Sequence, residues 1–151
     1  MAELDDVYNT KILELAGNIA RSQRLADPSA SASAQSKLCG STIAVDVVVE
    51  NGRFINYGQT VKACLLGQAA ASVVGREIVG TTLEEFHGVA EAMRLMLKSG
   101  GPPPQGRWKD LAVLAPVRDY RSRHASTLLV FDAVEKAVAD ISAGAVVTQQ
   151  P

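Results

Sequence analysis

Two cysteines, Cys39 and Cys64, and two histidines, His87 and His124, are the side chains of this 151-residue chain best suited to hold a soft metal or attack sulfur. A zinc site usually needs three or four protein ligands. No Cys-x-x-Cys is present, so the fold must gather any such site from distant positions. Cys39 precedes Gly40, which allows close backbone approach, and an alternating segment follows. Cys64 stands where an extended segment gives way to a helical one. A helix N-terminus favours the thiolate, the form that binds metal. His124 falls where a loop enters the last helical stretch. Two thiols and an imidazole could therefore meet around one ion. A hydrolase pairing Cys64 with His124 is conceivable chemistry, but no oxyanion-hole signature, Ser-His-Asp arrangement or Gly-rich phosphate loop accompanies it.

The elements that must position these residues can be read from the pattern. Apolar residues from about Leu4 to Arg21 suit an amphipathic helix. Arg24 to Gln35, rich in Ser and Ala with one Pro, reads as an extended connector. Thr42 to Glu50 alternates as a strand with Ile43, Val45, Val47 and Val49 on its buried face. Asn51-Gly52 is a hairpin turn. Arg53 to Tyr57 returns as a second strand, and Gln59 to Ala63 follows as a third. Cys64 to Val79 reads as a buried helix with small residues, stopped by Gly80. Thr82 to Glu85 fits a capping box opening a helix to about Lys98. Ser99 to Gly106 is a loop, Trp108 to Pro116 holds a short helix around Leu111 and Leu114, and a final helix runs from about Ala125 to Ala143.

Plainer readings stand beside the chemical ones. Free cysteines are often simply buried. His87 sits mid-helix beside Phe86 as a surface or core histidine, and Met93 and Met96 read as core. Arg118, Arg121 and Arg123 form a basic patch that is ordinarily solvated, though it could face an acidic partner. Lys plus Arg is 15 against Asp plus Glu 16, interspersed along the chain, which argues against a nucleic-acid binder. At 47% apolar and 21% charged, with mean hydropathy +0.08, the composition is that of one soluble globular domain. No stretch is long enough to span a membrane, the acidic residues Glu3, Asp5 and Asp6 do not read as a secretory signal, and a disulfide framework is a poor reading of two cysteines, so a cytoplasmic location is expected.

At these same residues the sequence resembles the IscU, SufU and NifU N-terminal family of iron-sulfur cluster assembly scaffolds, from about Leu4 to Ala139. Leu25-Ala26-Asp27-Pro28 resembles the family's Asn-Pro segment, and Lys37-Leu38-Cys39-Gly40-Ser41 its Cys-Gly-Asp motif. Tyr57 to Ser72 resembles the strand-to-helix segment bearing the second cysteine. Gly80 to Glu85 resembles the start of the next helix, and His124-Ala125-Ser126-Thr127-Leu128 the His-Cys-Ser-x-Leu motif. The insertion from Gly100 to Leu114 is more similar to the SufU branch. The resemblance implies an α+β fold, a three-stranded antiparallel sheet with helices packed on it, formed by a single domain over 1–151 with frayed tails at 1–3 and 144–151.

The resemblance further implies a transient [2Fe-2S] cluster or Zn²⁺ held by Cys39, Cys64 and His124. A cysteine desulfurase would supply sulfur, iron-sulfur acceptor proteins would receive the product, and a homodimer could complete the site. Two departures stand out. Ser41 replaces the family's Asp, leaving a poor ligand or a weak contributor, and Ala125 replaces its third cysteine, so weakened retention is expected. The leading expectation is a non-enzymatic scaffold. A second is a SufU-like zinc-dependent sulfurtransferase with Cys64 as the catalytic persulfide acceptor. A third is a scaffold-fold binding module without metal.

Overall fold

The computed structural model describes the backbone of residues 9–37 and 40–148 and the side chains through 141. Cys39 therefore lies outside the described residues, as do residues 1–3. Helix α1 (Thr10–Ala16) starts at Asn9, whose side-chain oxygen accepts from the Ile12 N–H at 3.0 Å, and it buries Ile12, Leu15 and Ala16. It ends before the expected Arg21, because Gly17 closes it, and residues 4–8 of the expected helix lie outside the described residues.

Three strands form one antiparallel sheet in the order β1 (Ala30–Gln35), β2 (Thr42–Glu50), β3 (Arg53–Lys62). The expected strand total is right, but its assignment is corrected. The two segments around Gly58 are one continuous strand, and the third strand is β1, inside the expected connector. β1 alternates strictly, with Ala30, Ala32 and Ala34 half-buried against the core and Ser31, Ser33 and Gln35 exposed. Alanine on the inner face lets the last helix lie close over this strand, and Lys136 of that helix donates to the Ser33 carbonyl at 3.3 Å. The β2–β3 hairpin turns at Asn51 and Gly52, whose φ angles of 54° and 73° are those a two-residue I′ turn requires.

Helix α2 (Leu65–Glu77) is buried on nearly every side, which its run of Ala, Gly and Val permits. Helix α3 (Leu83–Ser99) is capped by the Thr82 hydroxyl, which accepts from the Glu85 N–H at 3.0 Å. The reciprocal half of the expected capping box is replaced: the Glu85 carboxylate accepts instead from the Trp108 indole at 3.0 Å. The short helix expected over Trp108 to Pro116 is a longer segment of 3₁₀ type, Gly106–Asp119. Its buried residues Trp108, Leu111, Leu114 and Val117 recur every third position, the spacing that three residues per turn brings into line. Helix α4 (His124–Thr148) follows. Phe86 joins the layers, with ring centroids 5.8 Å from Phe54, 5.9 Å from Trp108 and 5.8 Å from Phe131.

Two buried polar groups fix how the segment after α1 lies on the sheet. The Asp46 carboxylate, on β2, accepts from Arg24 Nε at 2.7 Å and Nη2 at 2.9 Å, from the Leu25 N–H at 2.9 Å and from the Ser31 hydroxyl at 2.5 Å. The side chain of Gln59 is fully satisfied: its amide nitrogen donates to the carbonyls of Ala20 and Ala71, each at 3.0 Å, and its oxygen accepts from the Tyr57 hydroxyl at 3.0 Å. Burial pushes that phenol well above its ordinary range.

Candidate functional site

Three junctions converge at one end of the domain. The first is the β1–β2 loop, closed by Ser36 N–H to Ser41 C=O at 2.8 Å and Gly40 N–H to Ser36 C=O at 2.9 Å. Cys39 belongs to this loop in sequence. The second is the β3–α2 junction. It is tied to the first because the Cys64 N–H donates to the Ser41 hydroxyl at 3.4 Å. The third is the start of α4, where the Ser126 hydroxyl lies 3.4 Å from Cys64 Sγ and itself donates to the Arg123 carbonyl at 3.2 Å.

Cys64 is the N-cap residue of α2, half-buried, and its thiol makes no capping bond to the helix it opens. The site-end position expected from the strand-to-helix change is therefore the observed one. Gly67, one turn into α2, lets α4 approach: a Cβ there would lie 2.9 Å from the Ala63 Cβ and 3.0 Å from the Ser126 carbonyl oxygen. The missing side chain gives the Ser126 backbone room to lie against α2.

His124, the first residue of α4, is buried, with Nε2 3.0 Å from the Val117 carbonyl and 3.1 Å from that of Arg118. Both neighbours are acceptors, so Nε2 carries a proton and Nδ1 is the ring nitrogen left for a metal. Backbone carbonyls orient metal-binding histidines in this way. The 3₁₀ segment supplies both carbonyls and so sets the tautomer.

Ser41 is buried and engaged with the Cys64 backbone, which makes it a structural link between two of the junctions. Ala125 is exposed beside His124. His87 is on the surface of α3, its Nδ1 2.9 Å from Glu135 Oε1, away from these junctions, while Met93 and Met96 are core. Among the described residues no three His, Cys, Asp or Glu side chains cluster closely enough to hold a metal ion. The donors described, one thiol and one imidazole, are of the type that zinc and iron-sulfur centres take.

Sequence reasoning missed Ser126 as the neighbour of Cys64 and Asp46 as a buried anchor. A lone carboxylate within an apolar strand was the available signal for Asp46. Nothing in the spacing of Ser126 distinguished it from the rest of its helix.

An α+β domain with a three-stranded antiparallel sheet, presenting a thiol and a carbonyl-oriented imidazole at the junctions of one end, defines a recognisable class of small domain. No family model matches the chain. The chain is 48% identical to the N-terminal part of a nitrogen-fixing NifU-like protein from Brucella abortus, with a TM-score of 0.91 over 92% of this chain and 96% of that one. It is 24% identical over 136 residues to the iron-sulfur cluster assembly scaffold protein IscU of Thermotoga maritima, spanning 90% of this chain and 95% of that protein. A SUF-system scaffold protein from Fervidobacterium islandicum shares the fold, with a TM-score of 0.81 and 16% identity over 89% of this chain and 98% of that one. The chain belongs to the IscU/SufU/NifU family of iron-sulfur cluster assembly scaffold proteins. No helix among the described residues is long and apolar enough to cross a membrane.

Proposed function

We propose that the chain carries a transient [2Fe-2S] cluster as cargo, held by Cys39, Cys64 and His124, with sulfur supplied by a cysteine desulfurase and the product passed to iron-sulfur acceptor proteins. One observation carries this reading. The loop containing Cys39, the N-cap Cys64 and the first turn of α4 are tied together through Ser41, Cys64 and Ser126, with His124 oriented by two carbonyls in the same turn. In this reading Ser41 contributes by placing the Cys64 backbone. With Ala125 unable to ligate, the set is one donor short of four, which favours release over retention.

The test is anaerobic reconstitution followed by measurement of iron and labile sulfide per chain. Wild type is expected to hold both, and Cys39→Ser and Cys64→Ser to lose them. Equal iron and sulfide in all three proteins refutes the assignment. Zinc held by the same residues, with Cys64 accepting persulfide sulfur, is the second reading, and the half-buried thiol free of any capping bond favours it. Stimulation of a desulfurase that disappears in Cys64→Ser is its expected signature. Protein that stays free of iron and zinc would instead mark a binding module.

A further inference from the structure

Between the end of α3 and the start of α4 the surface opens into a cavity of about 730 Å³, within the size range of sites for small organic molecules. The buried Leu97 and Leu128 supply apolar lining, and Arg94 lines it already paired, with Asp132 at 2.9 Å and Glu135 at 3.5 Å. Lys98 from the last turn of α3, Arg118 from the 3₁₀ segment and Arg121 from the 3₁₀ turn after it add three more cations. None of these three has an ion pair among the described residues, although Asp119 stands near both arginines in sequence. The guanidinium groups of Arg21, Arg24, Arg53, Arg76, Arg94 and Arg107 each donate to a side chain or a carbonyl. Those of Arg118 and Arg121 donate to nothing among the described residues. Like charges gathered on a concave wall raise the local concentration of anions, and the planar guanidinium fork matches a carboxylate in two-point contact.

We propose that this cavity binds small polycarboxylates, organic anions with two or three carboxylates on a short aliphatic body, the carboxylates resting on Lys98, Arg118 and Arg121 and the hydrocarbon against Leu97 and Leu128. Four cations set against the Asp132 carboxylate leave three positive charges for the ligand to meet. The free cations come from three different turns of the chain, which suits charge spread over a molecule rather than concentrated in one inorganic ion. The volume and the two leucines ask for a carbon skeleton that an inorganic ion lacks. Binding is non-covalent and uses neither metal nor sulfur, so it holds or fails independently of the preceding reading.

The experiment titrates tricarballylate, succinate, acetate and inorganic phosphate into metal-free protein and follows backbone amide shifts. Tricarballylate is expected to saturate and to move the amides of Lys98, Arg118, Arg121 and Ala125, with succinate weaker and acetate without effect. The double variant Arg118→Gln/Arg121→Gln is expected to bind tricarballylate about tenfold more weakly with unchanged thermal unfolding, and Lys109→Gln, which removes a cation outside the cavity, to bind it as wild type does. Absence of saturation, or equal binding by the double variant, overturns the proposal. An equal loss in Lys109→Gln does so too, because it would trace the binding to overall charge. Phosphate binding as tightly as tricarballylate would mean a site for any anion and overturns the polycarboxylate assignment. A glutamate-rich peptide that binds more tightly than tricarballylate would mark a protein-docking face and overturns it as well.

Discussion

Replacing Asp46 by Asn removes a charge whose surroundings are built to hold it. The side chain is 1% exposed and accepts four hydrogen bonds, two of them from Arg24. The Arg24 guanidinium, followed by the Ser31 hydroxyl and the Leu25 N–H, outweighs the cost of burial and holds the carboxyl at about 2, against an ordinary 3.8. Each unit of displacement corresponds to about 1.4 kcal/mol, so ionisation of Asp46 contributes about 2 kcal/mol to stability. Because the folded value lies below the unfolded one, that contribution is complete above about pH 4 and fades as the pH falls toward 2. Asn keeps the shape of the side chain and loses the charge. Urea unfolding of wild type and Asp46→Asn across this range is expected to show a gap of about 2 kcal/mol near neutrality that closes in acid. A gap that stays constant from pH 7 to pH 2 would show that shape rather than charge holds the segment after α1, and would refute the reasoning.

Three further outcomes follow from the packing. Gly67→Ala drives a methyl into the Ala63 side chain and the Ser126 carbonyl. It is expected to cost about 1–3 kcal/mol by overpacking and to lower iron retained after reconstitution, as thermal unfolding and iron analysis would show. Phe86→Ala removes the ring that touches Phe54, Trp108 and Phe131, with an expected loss of about 3–5 kcal/mol in denaturant unfolding. Gln59→Leu strands the buried Tyr57 hydroxyl and is expected to cost about 1–3 kcal/mol, part of which returns when Tyr57→Phe is added, a coupling that a double-mutant cycle measures.

The hairpin and the two central helices were legible because each carries a local signal strong enough to act alone. Asn51-Gly52 dictates its turn, the valines and isoleucine of β2 alternate, and Thr82 caps α3. β1 was missed because Ala and Ser have little strand preference, and their alternation is the same in a linker. Tertiary pairing with β2 makes it a strand. The split of β3 at Gly58 was a misreading of glycine as punctuation, when the chain needs room there: a Cβ would collide with the Gln23 carbonyl. The 3₁₀ segment was written in the sequence as a period of three in Trp108, Leu111, Leu114 and Val117. The positions of Cys64 and His124 at element ends were readable from where patterns change. The link from Cys64 to Ser126 was not, because it depends on how closely two distant helices approach.

Sheets with an unprotected rim invite other polypeptides to add on, and one of the two edge strands here, β1, is poorly suited to that. β1 is only six residues long, displays serines and a glutamine outward, and has a lysine from α4 bonded to one of its carbonyls. Short length, polar outward residues and a cation are the devices by which natural proteins discourage such growth. Copies of this chain crowded together therefore find no template for fibrous aggregation along the β1 edge.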